Sequence, residues 1–100
     1  MNPETLRGAV LEKLKGVIDP ETGADVIRMR LIQDLNVDAG GKVTYTFRPS
    51  SPLCPIAVPL ALMILQAVQE TPGVTTQQIT VADYTQADDL NAILKSITDP

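Results

Sequence analysis

The sequence predicts an α+β fold with elements in the order α-β-β-α-β-α, in which a small mixed or antiparallel sheet carries its helices on one face. Two observations predict this class. Apolar residues recur at helical spacing in three segments, and between the first two segments they alternate with polar residues, as in half-buried strands. With 100 residues, 44% of them hydrophobic, the chain is expected to form one domain over residues 1–100 with a modest core.

The first helix is predicted close to the start of the chain. Asn2 can cap it, and Pro3 suits its first position, where the missing N–H needs no partner. The apolar residues that follow at helical spacing are Leu6, Ala9, Val10, Leu14 and Val17. Gly16 is expected to end the helix. Residues 17–25, VIDPETGAD, contain a proline and a glycine, so they are predicted as a loop that carries carboxylates.

An antiparallel hairpin is predicted next. Residues 26–37 show a period of two that is typical of a strand, interrupted on the apolar side by Gln33, where we expect a bend. The apolar residues at the odd-numbered positions, expected on one face of the strand, are Ile27, Met29, Leu31, Leu35 and Val37. Residues 42–48 alternate again, and the residues expected to point inward are Val43, Tyr45 and Phe47. The sequence DAGG, residues 38–41, supplies the turn.

Prolines mark the end of the second strand and the start of the second helix. Pro49 ends the strand, because proline cannot donate to the ladder. Pro59 lacks the N–H that would bond the carbonyl of Pro55, so the helix predicted over about 55–70 is expected to become regular only near Ala57. The helix is apolar almost all round. It should therefore be covered on more than one side, by a partner, by a second copy or by the C-terminal segment.

A strand and a helix are predicted to complete the fold. Residues 71–74 form a turn, and residues 78–84 form a short strand. Thr85 and Asp88 fit the spacing of a capping box at the start of the last helix. Its apolar face holds Leu90, Ile93, Leu94 and Ile97.

Charge and hydropathy exclude two classes of partner. The formal net charge is -4, and the eight basic residues are scattered, whereas a nucleic-acid-binding surface needs clustered lysine and arginine. The longest apolar run, residues 55–68, is too short to cross a bilayer and is broken by prolines. No basic segment followed by an apolar stretch marks a signal peptide. We therefore expect a cytoplasmic location and a reduced thiol.

The chain has no histidine and a single cysteine, Cys54. A cysteine–histidine nucleophilic pair and histidine-ligated zinc are therefore excluded. Any chemistry must use one thiol, carboxylates, hydroxyls and the backbone. A thiol enzyme would need Asp19 or Glu21 as its base, so the sequence favours a protein that is not an enzyme.

Cys54 is the candidate site residue. It precedes the second helix, whose free N–H groups and positive end favour a thiolate and lower its pKa. A thiolate binds soft metals and iron–sulfur clusters, and the hydroxyls of Ser50 and Ser51 can hydrogen-bond a sulfur or an anion. The alternative is a small, inert residue in a tight turn, and position alone favours it.

The acids of the sequence Asp-Pro-Glu, Asp19 and Glu21, are the second candidate group. Pro20 holds Asp19 in an extended conformation. These acids could cap the loop, ligate a hard metal or face Cys54 as hydrogen-bond acceptors. For Asp-Pro-Glu alone, turn chemistry at the surface is the favoured interpretation.

Taken together, these features resemble a family. The shared marks are Asp-Pro-Glu after the first helix, a hairpin with a glycine-rich turn, a serine-rich loop ending in Cys-Pro, an apolar helix, and Pro-Gly-Val before the last strand. In this order, over residues 10–81, they resemble the small iron–sulfur cluster assembly domain of SufT- and PaaD-like proteins. PaaD-type proteins also carry a C-terminal set of cysteines, which this chain lacks.

The resemblance implies an accessory or carrier role in the maturation of iron–sulfur proteins, with Cys54, Asp19 and Glu21 as the suspected functional residues. Its partners would be the assembly machinery or client apo-proteins. One thiolate cannot hold a cluster that needs four, so iron or a cluster would be shared with a second copy in a homodimer, a client or a small thiol. The alternative is an adaptor that recognises clients without binding a cluster.

Overall fold

The computed structural model describes residues 2–20, 22–53 and 55–98. Three helices and three strands follow one another in the predicted order. They are α1 (Pro3–Leu14), β1 (Ile32–Val37), β2 (Lys42–Phe47), α2 (Ala57–Gln69), β3 (Thr76–Val81) and α3 (Ala87–Thr98). The α+β class is therefore confirmed. As predicted, Asn2 caps α1, because its side-chain oxygen accepts a hydrogen bond from the N–H of Thr5 at 2.8 Å.

The sheet is mixed, with the strand order β1-β2-β3. The first pair is the predicted antiparallel hairpin, whereas β2 and β3 run parallel and are joined through α2. Phe47 in the central strand lies opposite Ile32 on one side and Val81 on the other. One face of the sheet is apolar, and the core forms where α1 and α2 cover it. The opposite face of β2 carries Lys42 and two threonines.

The prediction that the first strand begins at residue 26 is wrong. Residues 26–30 form a helical turn, in which the N–H of Met29 donates to the carbonyl of Asp25 at 3.0 Å. The carboxylate of Asp25 accepts from the N–H of Arg28 at 2.8 Å and so caps this turn. Arg30 then takes a left-handed backbone conformation, with φ 61°, and the chain turns into β1. Side-chain capping here outweighs the strand-like alternation of the sequence.

The bend expected near Gln33 is confirmed as a β-bulge. The register shifts between Gln33 and Asn36, so that Asp34 and Leu35 together lie opposite Tyr45. Asp34 has φ 54°. Because of the extra residue, the even-numbered Ile32 faces the core before the bulge and the odd-numbered Leu35 and Val37 face it after the bulge. Gln33 interrupts the apolar alternation for this reason.

The second helix becomes regular at Ala57, as predicted from the position of Pro59. Pro59 lies in the first turn, where backbone N–H groups have no partner within the helix. The buried side of α2 holds Ala57, Leu60, Ala61, Ile64, Leu65 and Val68. Its opposite side leaves Val58, Leu62 and Met63 exposed. In the described part of the chain, this side is not covered by the C-terminal helix, which packs against β3.

The last strand and helix lie close to their predicted positions. Leu90 and Leu94 are buried as predicted, while Ile93 and Ile97 remain half exposed. The predicted capping box at Thr85 is not formed, because the Thr85 hydroxyl donates to the carbonyl of Pro52 at 3.0 Å instead. None of the described helices is long and apolar enough to cross a membrane.

A partly buried chain of side-chain hydrogen bonds, the polar relay, links the sheet to α2. The hydroxyl of Tyr45 donates to the side-chain oxygen of Gln77 at 2.8 Å, and the Gln77 amide donates to the carbonyl of Leu65 at 2.9 Å. Burial raises the pKa of Tyr45 well above its ordinary value of 10.0, because a phenolate would lose its hydration there. The relay therefore requires the neutral tyrosine.

This relay predicts a loss of stability at alkaline pH. The unfolded chain releases the Tyr45 proton above pH 10, while the folded chain retains it. The contribution of Tyr45 to the free energy of unfolding is therefore complete below pH 10. It is lost, by about 1.4 kcal/mol per pH unit, as the pH rises towards the raised pKa of Tyr45 in the folded protein. Urea unfolding at pH 9 to 11 measures it, with Tyr45→Phe as the control. Equal pH slopes for both proteins would contradict the prediction.

Candidate functional site

Three loop segments gather at one end of the sheet. Residues 48–56 and 82–86 follow the parallel strands β2 and β3, so they leave the sheet at the same end. Residues 15–31 lead into β1, which runs antiparallel to β2 and therefore starts at that end. Ligands of open α/β sheets commonly bind outside the carboxyl ends of parallel strands. We call these three segments the carboxyl-end surface.

Backbone hydrogen bonds hold the three segments together. The N–H of Arg48 donates to the carbonyl of Leu31 at 2.8 Å, and the N–H of Thr85 donates to the carbonyl of Pro52 at 2.9 Å. An ion pair of 2.8 Å between Arg48 and Asp83 joins the segment of residues 48–56 to the segment of residues 82–86. Both side chains are more than half exposed, so this pair contributes little to stability. The ion pair instead holds residues 48–56 next to residues 82–86.

The predicted site residues Ser50 and Ser51 lie on this surface. Both are exposed. The hydroxyl of Ser51 accepts a hydrogen bond from the N–H of Leu53 at 3.2 Å, which forms a local turn just before position 54. Leu53 is 75% exposed, and Pro55 is also exposed. The residues on both sides of position 54 in the sequence are therefore accessible to solvent.

Asp19 belongs to the same surface but is buried, with only 2% of its area exposed. Its N–H donates to the carbonyl of Ala24 at 2.9 Å, and its own carbonyl accepts from the N–H of Gly23 at 2.8 Å. An isolated antiparallel bridge between Ile18 and Asp25 closes the base of the loop. Asp19 therefore takes part in a turn, as expected, but the expectation that it lies at the surface is wrong.

Cys54 and Glu21 lie outside the described residues, so their predicted roles stay predictions. The N-cap of α2 is Ile56, which comes two residues after Cys54 in the sequence.

Sequence reasoning missed Arg48, Asp83 and Thr85, which tie the segments of the carboxyl-end surface together. Arg48 and Asp83 are far apart in the chain, and no local pattern predicts their pairing. In residues 2–20, 22–53 and 55–98, no three acidic side chains converge as a metal site. The donor set of the whole sequence, one cysteine and no histidine, does not fit a cluster held by a single chain.

Comparison with known proteins finds relatives by sequence. The chain is 35% identical to an uncharacterized protein of Methanocaldococcus jannaschii, over 86% of this chain and 90% of that protein. It is 28% identical to the Fe-S protein maturation auxiliary factor YitW of Bacillus subtilis, over 76% of this chain and 74% of that protein. It is 32% identical to an iron–sulfur cluster carrier protein of Synechocystis over 77% of this chain, which corresponds to only 22% of that protein.

The fold has also been observed experimentally. The crystal structure of a domain of unknown function, DUF59, from Bacillus anthracis matches with a TM-score of 0.72, covering 95% of both chains at 22% sequence identity. At this identity the match concerns the fold alone. The profile of the family described as iron–sulfur cluster assembly protein matches residues 7–81, three-quarters of the sequence, from α1 to the end of β3. The chain therefore belongs to the iron–sulfur cluster assembly protein family.

Proposed function

We propose that this protein acts in the maturation of iron–sulfur proteins, as an accessory or carrier factor for which iron or a cluster is cargo. The observation that carries the proposal is the family match over residues 7–81, which includes Asp19, Glu21 and Cys54. The names of the Bacillus subtilis and Synechocystis relatives support it. Its partners would be the assembly machinery or client apo-proteins, and its cytoplasmic location stays a prediction.

In the proposed mechanism, the Cys54 thiolate supplies one ligand to a transiently held cargo. A cluster needs about four thiolates or equivalent ligands, and the chain has one cysteine. The remaining ligands would come from a second copy, a client or a small thiol. The exposed hydroxyls of Ser50 and Ser51 lie in the same loop and could donate hydrogen bonds to the sulfur ligands.

The two acids would have different tasks. We assign Asp19 to holding the loop of residues 17–25 in its folded shape, because it is buried and its backbone N–H and carbonyl bond Ala24 and Gly23 across the loop. Glu21 keeps the predicted role of an acid facing the cargo. The burial of Asp19 also counts against a thiol enzyme that would use it as a base, since a base must reach the proton it abstracts.

The second candidate function is an adaptor that recognises clients through its surface and binds no cluster. It is favoured by the outer side of α2, where Val58, Leu62 and Met63 are exposed at helical spacing. A helix face of this kind can pack against a partner. The adaptor does not require the thiol, so the two candidates predict different results for Cys54→Ala.

Anaerobic reconstitution with iron and sulfide tests the first function. We expect the wild type to take up iron and develop the visible absorption of a cluster, and Cys54→Ala to lose both, because it lacks the one thiolate. Light scattering before and after reconstitution shows whether a dimer forms. Leu53→Ala is the matched control in the same loop, because Leu53 is 75% exposed and has no proposed role, and it should retain most of the uptake. Equal uptake by wild type and Cys54→Ala, or none by either, would contradict direct ligation.

Client binding distinguishes the adaptor. A folded Cys54→Ala protein that still captures client apo-proteins and restores their maturation in cells would support the adaptor and exclude the carrier. Leu62→Glu, on the exposed side of α2, should then abolish capture without unfolding the chain. Capture that depends on Cys54 and tolerates Leu62→Glu would favour the carrier.

A further inference from the structure

The outer edge of β3 is paired with no further described strand and is covered by α3 only in part. In the sheet order β1-β2-β3, β3 has β2 as its only neighbouring strand among the described residues. Along a strand, the backbone N–H and C=O groups of successive residues point alternately to its two sides. The N–H of Ala82 donates to the carbonyl of Phe47 in β2 at 3.1 Å, so even-numbered residues face β2. Gln77, Ile79 and Val81 therefore turn their backbone groups towards the open edge.

The side chain of Asn91 in α3 occupies one of these three positions. The N–H of Val81 donates to its oxygen at 2.7 Å, and its amide donates to the carbonyl of Val81 at 3.1 Å. A carboxamide carries the same donor and acceptor as a peptide group, so Asn91 imitates a neighbouring strand. Within the described part of the chain, Gln77 and Ile79 have no such partner on this edge. Two positions therefore remain open for backbone pairing.

A groove of about 410 Å³ lies along this open part of the edge. Residues 76–80 of β3 form one wall, and Asn91, Lys95 and Thr98 of α3 form another, with Lys42 at the side. Its volume is within the range of about 300–1,000 Å³ that is typical of ligand sites. A strand of three residues is roughly 10 Å long, enough to pair with both Gln77 and Ile79.

The groove is positively charged in a protein of net charge -4. Its lining contains Lys42 and Lys95 and, among the described residues, no acidic side chain. Lys95 follows Asn91 by four residues, about one helical turn of α3, and lines the same groove as Ile79. Lys42 is paired in register with Thr76, the first residue of β3, and both line the groove. The complementary ligand is therefore acidic.

We propose that this edge is a docking site for an extended acidic segment of a partner protein, which adds to β3 as a fourth strand. The backbones of Gln77 and Ile79 supply hydrogen bonds, and Lys42 and Lys95 select carboxylates. A second copy of this chain is a poorer occupant, because it would bring two more lysines and its own α3 to the same edge. The site does not depend on Cys54 or on iron–sulfur cargo.

Nuclear magnetic resonance of the full, nitrogen-15-labelled chain tests the proposal. The probe is a short peptide of alternating valine and glutamate, capped at both ends. We expect it to shift the amide signals of Gln77 and Ile79 and to slow their hydrogen exchange, while Gln78 and Thr80, already paired with β2, change less. The same peptide with methylated backbone nitrogens, and one with lysine in place of glutamate, should bind at least about tenfold more weakly.

Charge reversal tests the selection of carboxylates. Lys95→Glu and Lys42→Glu should each weaken binding of the valine–glutamate peptide by at least about tenfold, or about 1.4 kcal/mol. Lys13→Glu, an exposed lysine on α1, is the matched control and should leave binding unchanged. Unshifted Gln77 and Ile79 signals, equal binding of the methylated peptide, or a dimer that pairs through this edge would overturn the proposal.

Discussion

Phe47→Ala is expected to lower the free energy of unfolding by about 3–5 kcal/mol, the usual cost of truncating a buried phenylalanine. Phe47 is fully buried at the end of the central strand, opposite Ile32 in β1 and Val81 in β3. Alanine would leave a cavity where the three strands meet under the helices. Since small domains are stable by about 5–15 kcal/mol, this loss is about a fifth of the total or more.

Urea and thermal unfolding measure this effect. For a domain of this size, each kcal/mol shifts the melting temperature by about 4–8 °C, so a decrease of at least roughly 12 °C is expected. Ile93→Ala is the matched control, because Ile93 is 50% exposed, and it should change stability much less. A Phe47→Ala protein that melts within a few degrees of the wild type would contradict the assignment of this residue to the centre of the core.

Gly41→Ala is expected to be the second most damaging change. Gly41 has φ 84°, which costs a residue with a Cβ about 1–2 kcal/mol. The added Cβ would also overlap the carbonyl oxygen of Gly73, in the turn before β3. The two turns are held together there by hydrogen bonds from Thr75, whose N–H donates to Gly41 at 2.9 Å and whose hydroxyl donates to Gly40 at 2.7 Å. Separating the turns would break both bonds.

Substitutions at two other glycines distinguish the cost of the positive φ from the cost of the overlap with Gly73. Gly23 also has a positive φ, 73°, but among the described residues, its two chain neighbours apart, no atom lies within 4 Å of the position that a Cβ would take. Gly23→Ala should therefore cost only the conformational strain of about 1–2 kcal/mol. Gly40→Ala alters the same turn as Gly41→Ala. Its Cβ would lie 3.4 Å from a carboxylate oxygen of Asp38, an ordinary contact, so the free energy of unfolding should hardly change. Urea unfolding should therefore rank the losses as Gly41 above Gly23 above Gly40. Equal losses at Gly41 and Gly23 would show that the close approach to Gly73 has no cost.

Features that depend on neighbours in sequence were predictable. The cap of α1 at Asn2, the tight turn of residues 38–41 and the start of α2 at Ala57, with Pro59 in its first turn, all follow from hydrogen bonds or steric limits within a few residues. The bend near Gln33 was also predictable, because a polar residue on the apolar side of a strand conflicts with a regular register.

The candidate site was predictable only in part. The resemblance identified the family and drew attention to the loop of Ser50 and Ser51. Burial of Asp19 was not predictable, because it depends on how the loop of residues 17–25 folds back on itself. The pairing of Arg48 with Asp83 joins loops that only the parallel arrangement of β2 and β3 brings together.

By itself, the sequence determined the order of the elements, the apolar faces and the limits on chemistry, since one thiol and no histidine are facts of composition. The tertiary structure decided that residues 26–30 form a capped turn, that β3 pairs parallel to β2, and that the far edge of β3 stays open beside α3. The physical reason is the separation in sequence between the residues that interact. Caps, turns and helical faces depend on nearby residues, whereas strand partners and open edges depend on which distant surfaces are buried together.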